Sequence, residues 1–362
     1  MTAPDFTPWL EQEPYALNGA EKSRMLTQSL DELTRWHAAR CGPYARILDA
    51  IGFRHRRPER VEDIPFIPVR LFKEFDLLSI RQDQVFKTMT SSGTTGQQVS
   101  RIYLDRETAA FQSKVLARLM GHILGKKRLP MLIIDAPGVA YDRSAFSARG
   151  AGIRGFSLFG QDVTYALGED MALDLPAIEA FLERHADRPV FVFGFTFMIW
   201  QHLYLPLRAQ QKRLPMDHAI LLHGGGWKRL QDQAVGNQAF RAGMLECAGI
   251  RRVVNYYGMV EQTGAIYLEC EEGHLHVPIY ADIVMRDPAD FSPVETGQAG
   301  LIEVMSLVPR SYPGHALLTE DMGSVLGEDD CPCGRLGKYF RVSGRIAKAE
   351  ARGCSDTYEV RS

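Results

Sequence analysis

Four short apolar runs punctuate the middle of the chain: Met131 to Ile134, Val190 to Phe193, Ala219 to Leu222 and Val253 to Tyr257. Helix-length segments separate them, and apolarity that is continuous rather than alternating predicts strands of a parallel sheet buried on both faces. The last three stop at glycines, namely Gly194, the run His223-Gly224-Gly225-Gly226, and Gly258. Ligands of such sheets sit at the carboxyl ends of the strands, where these glycines fall. Nearer the start, Met25, Leu26, Leu30, Leu33 and Trp36 recur at three- and four-residue steps behind Asn18, predicting an amphipathic helix with a side-chain cap. Glu107 to Leu124 reads as another helix. Between these two, Arg57 to Asp83 carries Pro58, Pro65 and Pro68 with Leu71, Phe72 and Phe75 as apolar anchors, so a packed irregular connection is expected. Beyond Leu275, the segments Ile279 to Met285 and Gly300 to Val308 alternate and are broken by Pro288, Pro293, Gly297 and Pro309, the pattern of a small, barrel-like β subdomain. No repeat of about 20–50 residues and no low-complexity linker is seen.

Composition narrows the class. With 362 residues and 45% hydrophobic content, the chain can fill a large core. Lys+Arg 42 against Asp+Glu 44 leaves a net charge of -2, which provides no basic field for nucleic acid. The start M-T-A-P-D-F-T-P-W-L has no signal-peptide pattern, and no segment approaches the roughly 20 apolar residues of a membrane span. A cytoplasmic protein without a membrane or nucleic-acid partner is expected. In reducing cytosol the six cysteines read as thiols or metal ligands.

Candidate chemistry centres on Thr90 to Ser100, T-S-S-G-T-T-G-Q-Q-V-S. Ser91, Ser92, Thr94 and Thr95 supply hydroxyls, while Gly93 and Gly96 let backbone N–H groups turn inward. Such a concave donor set suits a polyphosphate. It is not a Walker loop, because no lysine follows within the segment.

This loop is followed by Y-Y-G-M-V-E-Q-T-G at Tyr256 to Gly264, L-T-E-D-M-G at Leu318 to Gly323 and Gly344-Arg345. Their order resembles the motif series of the adenylate-forming superfamily, whose members activate carboxylic acids with ATP. H-G-G-G-W-K at His223 to Lys228, C-P-C-G-R at Cys331 to Arg335 and the stretch Gly344 to Asp356 resemble the acyl-protein synthetases of bacterial luminescence. Phenylacetate–CoA ligases look more distant. The implied fold is the large α/β N-terminal domain of such enzymes, parallel sheets flanked by helices, plus a small β subdomain. Residues 1–85 would be a helical lead-in, 86–270 the nucleotide- and acid-binding core, and 271–362 the β subdomain with a truncated hinge and tail.

The resemblance also implies roles. Ser91, Ser92, Gly93, Thr94, Thr95 and Gly96 would hold the β- and γ-phosphates. Gly224, Gly225, Gly226, Tyr256, Tyr257 and Gly258 would border adenine and the acyl group. Glu261 would help bind Mg²⁺, Asp321 would accept from the ribose, and Arg345 would reach ribose or phosphate. Phe193, Gly194, Phe195, Thr196 and His223 would line the acid pocket. The pattern departs from the superfamily in two places: Gln97 and Gln98 replace the usual Pro-Lys, leaving Arg101 as the first cation, and the chain stops too soon after Gly344 for the lid domain with its catalytic lysine. Lys348 is a distant substitute.

Two cysteine groups remain. Cys354 lies beside Arg352, which would favour its thiolate, and the resembled synthetases carry an acyl group on a cysteine near the C-terminus. Cys270, His276, Cys331 and Cys333 suit a structural tetrahedral Zn²⁺, with His274 competing for the imidazole position. The resulting expectation is an AMP-forming ligase of the acyl-protein synthetase type that activates a fatty acid with ATP and Mg²⁺. It passes the acyl group to Cys354 or to an acyl-accepting reductase or carrier protein. The alternatives are an aryl or heteroaryl acid adenylating enzyme of a biosynthetic pathway and a nucleotide-binding remnant without turnover.

Overall fold

The continuous apolar runs do form parallel strands. In order across the sheet these are Gly160–Tyr165, Leu129–Ile133, Val190–Phe195, Ala219–Gly224 and Arg252–Tyr257, each pair in parallel register. The computed structural model describes residues 4–91, 99–141, 148–227, 234–262 and 264–346. These divide into two compact units. The parallel sheet belongs to the unit built from 120–257, and the other unit is built from 4–91, 99–119 and 258–346.

In the parallel unit the three strands Leu129–Ile133, Val190–Phe195 and Ala219–Gly224 are almost wholly buried, as their composition requires. One face packs Val190, Val192 and Leu221 against Ile178 and Phe181 of the helix Leu175–Arg184 and Phe240 and Met244 of the helix Asn237–Ala248. The strand Val190–Phe195 runs through Gly194 instead of stopping there, because its pairing with Ala219–Gly224 continues to Phe195, and glycine is needed at 194 since a Cβ would press on Ile199 and Ile134 at 2.8 and 3.0 Å.

The other unit opens with the helix Gly19–Ala38, whose Asn18 side chain accepts from the Glu21 amide at 3.0 Å. Leu26, Leu30 and Leu33 are fully buried, as their spacing predicts. Phe72 is buried, but the expected anchor Phe75 is 49% exposed. The helix predicted from Glu107 spans Arg106–Leu124. The later segments form an antiparallel sheet ordered Ala281–Arg286, Gly300–Ser306, Ala316–Glu328, Lys338–Arg345, Leu275–His276, Tyr267–Glu269, with Ile67–Pro68 adding a short parallel partner to Ala316–Glu328. Two expectations need correction. The order is linear rather than barrel-like, and Ala281–Arg286 and Gly300–Ser306 are buried on both faces rather than alternately exposed. Their polar members lie inside as pairs, such as Arg286 Nε to Glu303 at 2.7 Å, so sequence alternation here does not mark a wet face.

Buried histidines tie the first helix to the segment after Ser306. His37 donates from Nε2 to the Pro309 carbonyl at 3.2 Å and takes the Ser79 hydroxyl at Nδ1 at 2.7 Å. Thr34 already donates to Leu30, so its oxygen accepts from His315 Nε2 at 2.9 Å. Burial pushes the His315 imidazole down to about 3, so the fold holds it neutral. Its contribution to stability is full above the unfolded value of about 6.5 and is lost as the pH falls from there. His315→Gln keeps the shape but not the titration. The stability difference between wild type and this variant therefore shifts against wild type by about 1.4 kcal/mol per pH unit from roughly pH 6 to pH 4, measured by urea unfolding. A pH-independent difference refutes this.

Among the described residues no helix is long and apolar enough to cross a membrane.

Candidate functional site

The carboxyl ends of the parallel strands are level. Phe195 pairs with Gly224 and Gly224 with Tyr256, so three predicted residues form one row. A Cβ on Gly224 would meet the Tyr256 ring at 2.5 Å, and Gly225 takes φ +81° with Phe195 only 3.1 Å from where a Cβ would lie. Glycine is required here because aromatic rings close over the turn. Phe193 packs with Phe195 at 5.9 Å between ring centroids and with Phe156 at 4.7 Å, and Phe156 meets Tyr256 at 5.1 Å. These rings make an aromatic wall on one face of the sheet.

His223 belongs to the opposite face. Side chains alternate along a strand, and His223 shares the register of Gly194, stacking on Phe240 at 4.3 Å. Thr196 donates its hydroxyl to the Gly224 carbonyl at 3.1 Å, so its oxygen accepts from His223 Nδ1 at 2.9 Å. His223 thus supports the glycine turn through Thr196 from behind the aromatic wall. Burial pushes its imidazole down to about 3, which keeps it neutral. The sequence reading overlooked a further support. Asp135, just past the strand Leu129–Ile133, makes a buried ion pair with Arg149 at 2.9 Å. Arg149 belongs to the helix Ala148–Phe156, so this pair helps fix the helix that carries Phe156.

In the other unit, Lys87–Thr90 and Arg101–Leu104 form an antiparallel hairpin, and the hydroxyl-rich stretch joins them. Ser91 and Ser100 close its neck. The Ser91 amide donates to the Ser100 carbonyl at 3.1 Å, and the Ser100 amide donates to Ser91 Oγ at 2.9 Å. Ser92, Gly93, Thr94, Thr95 and Gly96 lie outside the described residues, as do Gln97 and Gln98.

Glu261 sits on the short 3-10 turn Val260–Gln262 and is 5% exposed. Burial pushes its carboxyl up, while the Ser100 hydroxyl, its own backbone amide and the charges of Lys73 and Arg345 pull it down. Arg345 in turn donates from Nε to Asp321 at 2.7 Å, because the strands Ala316–Glu328 and Lys338–Arg345 place the two residues opposite one another. Asp321 and Arg345 are thereby joined directly, while Ser100, Lys73 and Arg345 act on the Glu261 carboxyl electrostatically, and the sequence suggested no role for Ser100 or Lys73. Ser100 could have been found, since it ends the hydroxyl-rich stretch. Lys73 gives no sequence signal. Cys354, Arg352 and Lys348 lie outside the described residues.

The third cluster is Cys270, His276, Cys331 and Cys333, whose ligand atoms all lie within 4.8 Å of one another. Cys270 and His276 flank a tight turn in which the Gly273 amide donates to the Cys270 carbonyl. The pairing of Leu275 with Phe340 and His276 with Tyr339 sets this turn beside the one bearing Cys331 and Cys333. Cys270 and Cys331 sulfurs are 4.0 Å apart, and Cys333 Sγ is 3.3 Å from His276 Nε2. Tetrahedral zinc, with bonds of about 2.3 Å to sulfur and about 2.0 Å to nitrogen, needs separations of about 3.8 and 3.5 Å. The donor types suit zinc, and these two separations lie close to the tetrahedral values. His274 Nδ1 lies 3.4 Å from Cys331 Sγ, but His276 is the wholly buried imidazole.

Comparison with known proteins places these geometries in context. The family profile described as acyl-protein synthetase, LuxE, matches residues 7–361. A long-chain-fatty-acid–luciferin-component ligase of Vibrio harveyi is 25% identical over 313 residues, covering 82% of this chain and 78% of the relative. A phenylacetate-coenzyme A ligase of Thermus thermophilus is 25% identical over 329 residues, covering 87% and 68%. Among solved structures, 2-hydroxyisobutyryl-CoA ligase in an open conformation, with 2-HIB-AMP and CoA, superposes with a TM-score of 0.70 at 17% identity, covering 99% of this chain and 81% of that one. That likeness shows a shared fold, the α/β architecture expected from the sequence.

Proposed function

We propose that this chain, which belongs to the acyl-protein synthetase LuxE family, condenses a long-chain fatty acid with ATP and hands the acyl group to a thiol. A carboxylate oxygen attacks the α-phosphorus, the bond to pyrophosphate breaks, and acyl-AMP forms. A thiolate then attacks the acyl carbon, the bond to the AMP oxygen breaks, and AMP leaves with the electron pair. The first step joins two anions, so positioning and charge neutralisation dominate it.

The observation that carries this reading is Glu261, a buried carboxylate within the influence of two cations, in the same unit as the neck serines Ser91 and Ser100. Residues Ser91 to Gly96 hold the outer phosphates. Glu261 helps hold Mg²⁺, which when bound neutralises phosphate charge. Asp321 receives the ribose hydroxyls and Arg345 orients Asp321 while reaching toward phosphate. Gly224 to Gly226 and Tyr256 to Gly258 border adenine and the acyl group, and Phe193 to Phe195 with Phe156 line the acid. His223 acts through Thr196. The tetrad Cys270, His276, Cys331 and Cys333 binds a structural Zn²⁺. The fatty acid assignment leans on the name of the Vibrio harveyi relative, and the thiol is Cys354 or one on an acyl-accepting protein partner.

Acid-dependent exchange of pyrophosphate into ATP tests the reading. Long-chain fatty acids should drive exchange at least tenfold faster than aromatic acids. The reverse order makes this an aryl-acid enzyme, and ATP protection against heat without exchange with any acid makes it a nucleotide-binding remnant. In the same preparations, labelled fatty acid with ATP should mark the wild-type chain covalently and fail to mark Cys354→Ser. Undiminished labelling of that variant excludes Cys354.

A further inference from the structure

We infer that the segment from Pro309 to His315 is a positioning splint that fixes the span between the serine-necked hairpin and the Glu261 turn. Successive residues of one buried segment reach both. Ser311 donates its hydroxyl to the Tyr103 carbonyl at 2.8 Å, on the hairpin strand Arg101–Leu104, and its own carbonyl accepts from the Ser79 amide at 2.8 Å. Tyr312, the next residue, donates its hydroxyl to the Glu261 carbonyl at 2.9 Å. The Gly314 carbonyl accepts from Gln262 Nε2 at 3.0 Å, and the same amide also donates to the Val304 carbonyl at 3.1 Å. Ser311, Tyr312 and Gln262 are at most 1% exposed, so water does not substitute for these bonds.

The segment is itself held from behind. Trp36 Nε1 donates to the Arg310 carbonyl at 3.0 Å, His37 holds the Pro309 carbonyl, and the Ser306 amide donates to the His315 carbonyl. There is no slack at its centre. A Cβ on Gly314 would fall 2.2 Å from the Tyr312 ring and 3.0 Å from the Glu261 carbonyl oxygen. Tyr312 and Gln262 direct their hydrogen bonds to backbone carbonyls, and the Tyr312 ring packs edge-on against Phe72, so they set where the Glu261 carboxylate stands without supplying a group to a ligand. A splint of this kind matters for the reaction because misplacing a charged group by about 1 Å costs on the order of a hundredfold in rate.

This inference rests on the proposed reading of Glu261 and the hairpin loop as parts of one MgATP site. Its test uses Tyr312→Phe, which keeps the ring and deletes the bond to Glu261, and Ser311→Ala, which releases the hairpin. Both are measured in the full-length protein by acid-dependent exchange as a function of Mg²⁺ at saturating acid. MgATP-induced thermal protection is followed in parallel, and Ile178→Val in the parallel unit serves as a control for mild destabilisation. Each splint variant should raise the Mg²⁺ concentration for half-maximal exchange about tenfold, and Ile178→Val should leave it unchanged. If the splint variants melt lower yet keep the wild-type Mg²⁺ dependence, the segment is only structural and the inference is overturned while the function stands. If the wild type neither exchanges nor gains protection from MgATP, the functional reading falls and takes the splint with it.

Discussion

Glu261→Gln lowers acid-dependent pyrophosphate exchange about 100- to 1,000-fold, the range seen when one preorganised electrostatic group is removed from an active site. The amide preserves the volume of the side chain but not its charge. Lys73 and Arg345, whose fields now converge on a carboxylate, would face a neutral group, and the Mg²⁺ proposed to sit there would lose an anionic ligand. Stability should change little, because burial already works against the charged form at this position and the turn is held by Tyr312 and Gln262 rather than by the carboxylate. Exchange within threefold of wild type, at matched acid and Mg²⁺, would remove Glu261 from the machinery. Loss of the folded state would instead mean that the acid is structural.

Cys331→Ser should lose stoichiometric zinc and lower the melting temperature by about 10 °C, corresponding to several kcal/mol of folding energy. Cys331 is the shared neighbour in this cluster, lying near the sulfur of Cys270 and the ring of His274. The metal would clamp two turns that otherwise meet through a two-residue strand pairing and the stacking of His274 and His276 on Tyr339, so it adds directly to the local order. Exchange measured well below the new melting point should stay near wild type, since none of the four ligands is among the nucleotide- or acid-site residues. Metal analysis of fresh protein showing no zinc, with Cys331→Ser melting like wild type, would leave the tetrad as ordinary buried thiols.

Much of the fold was legible because apolar runs without alternation admit few arrangements. The exception is instructive. Gly160–Tyr165 is a strand of the parallel sheet, yet G-Q-D-V-T-Y shows no apolar run because it is an edge strand with three exposed positions in succession. The partnerships among the candidate site residues were not legible in the sequence. Asp321 and Arg345 stand 24 residues apart, and only the antiparallel register, which includes two irregularities, brings them together. The family resemblance groups His223 with Phe193 and Phe195 in the acid pocket. Period-two alternation combined with the parallel register sends it to the other face, and that register cannot be read from one sequence. The Cys3His tetrad was visible because ligand chemistry restricts the residue types, although only the pairing of two distant turns makes it a cluster.

The reciprocal bonds between Ser91 and Ser100 have a bearing on how this enzyme family could be diversified. The neck is closed by the two serines themselves, so the alignment of the strands beneath is fixed at that end by its own residues. Closing a longer excursion is cheap, about 0.6 kcal/mol for each doubling. The ladder should therefore accept insertions between Ser91 and Ser100 at little cost in stability.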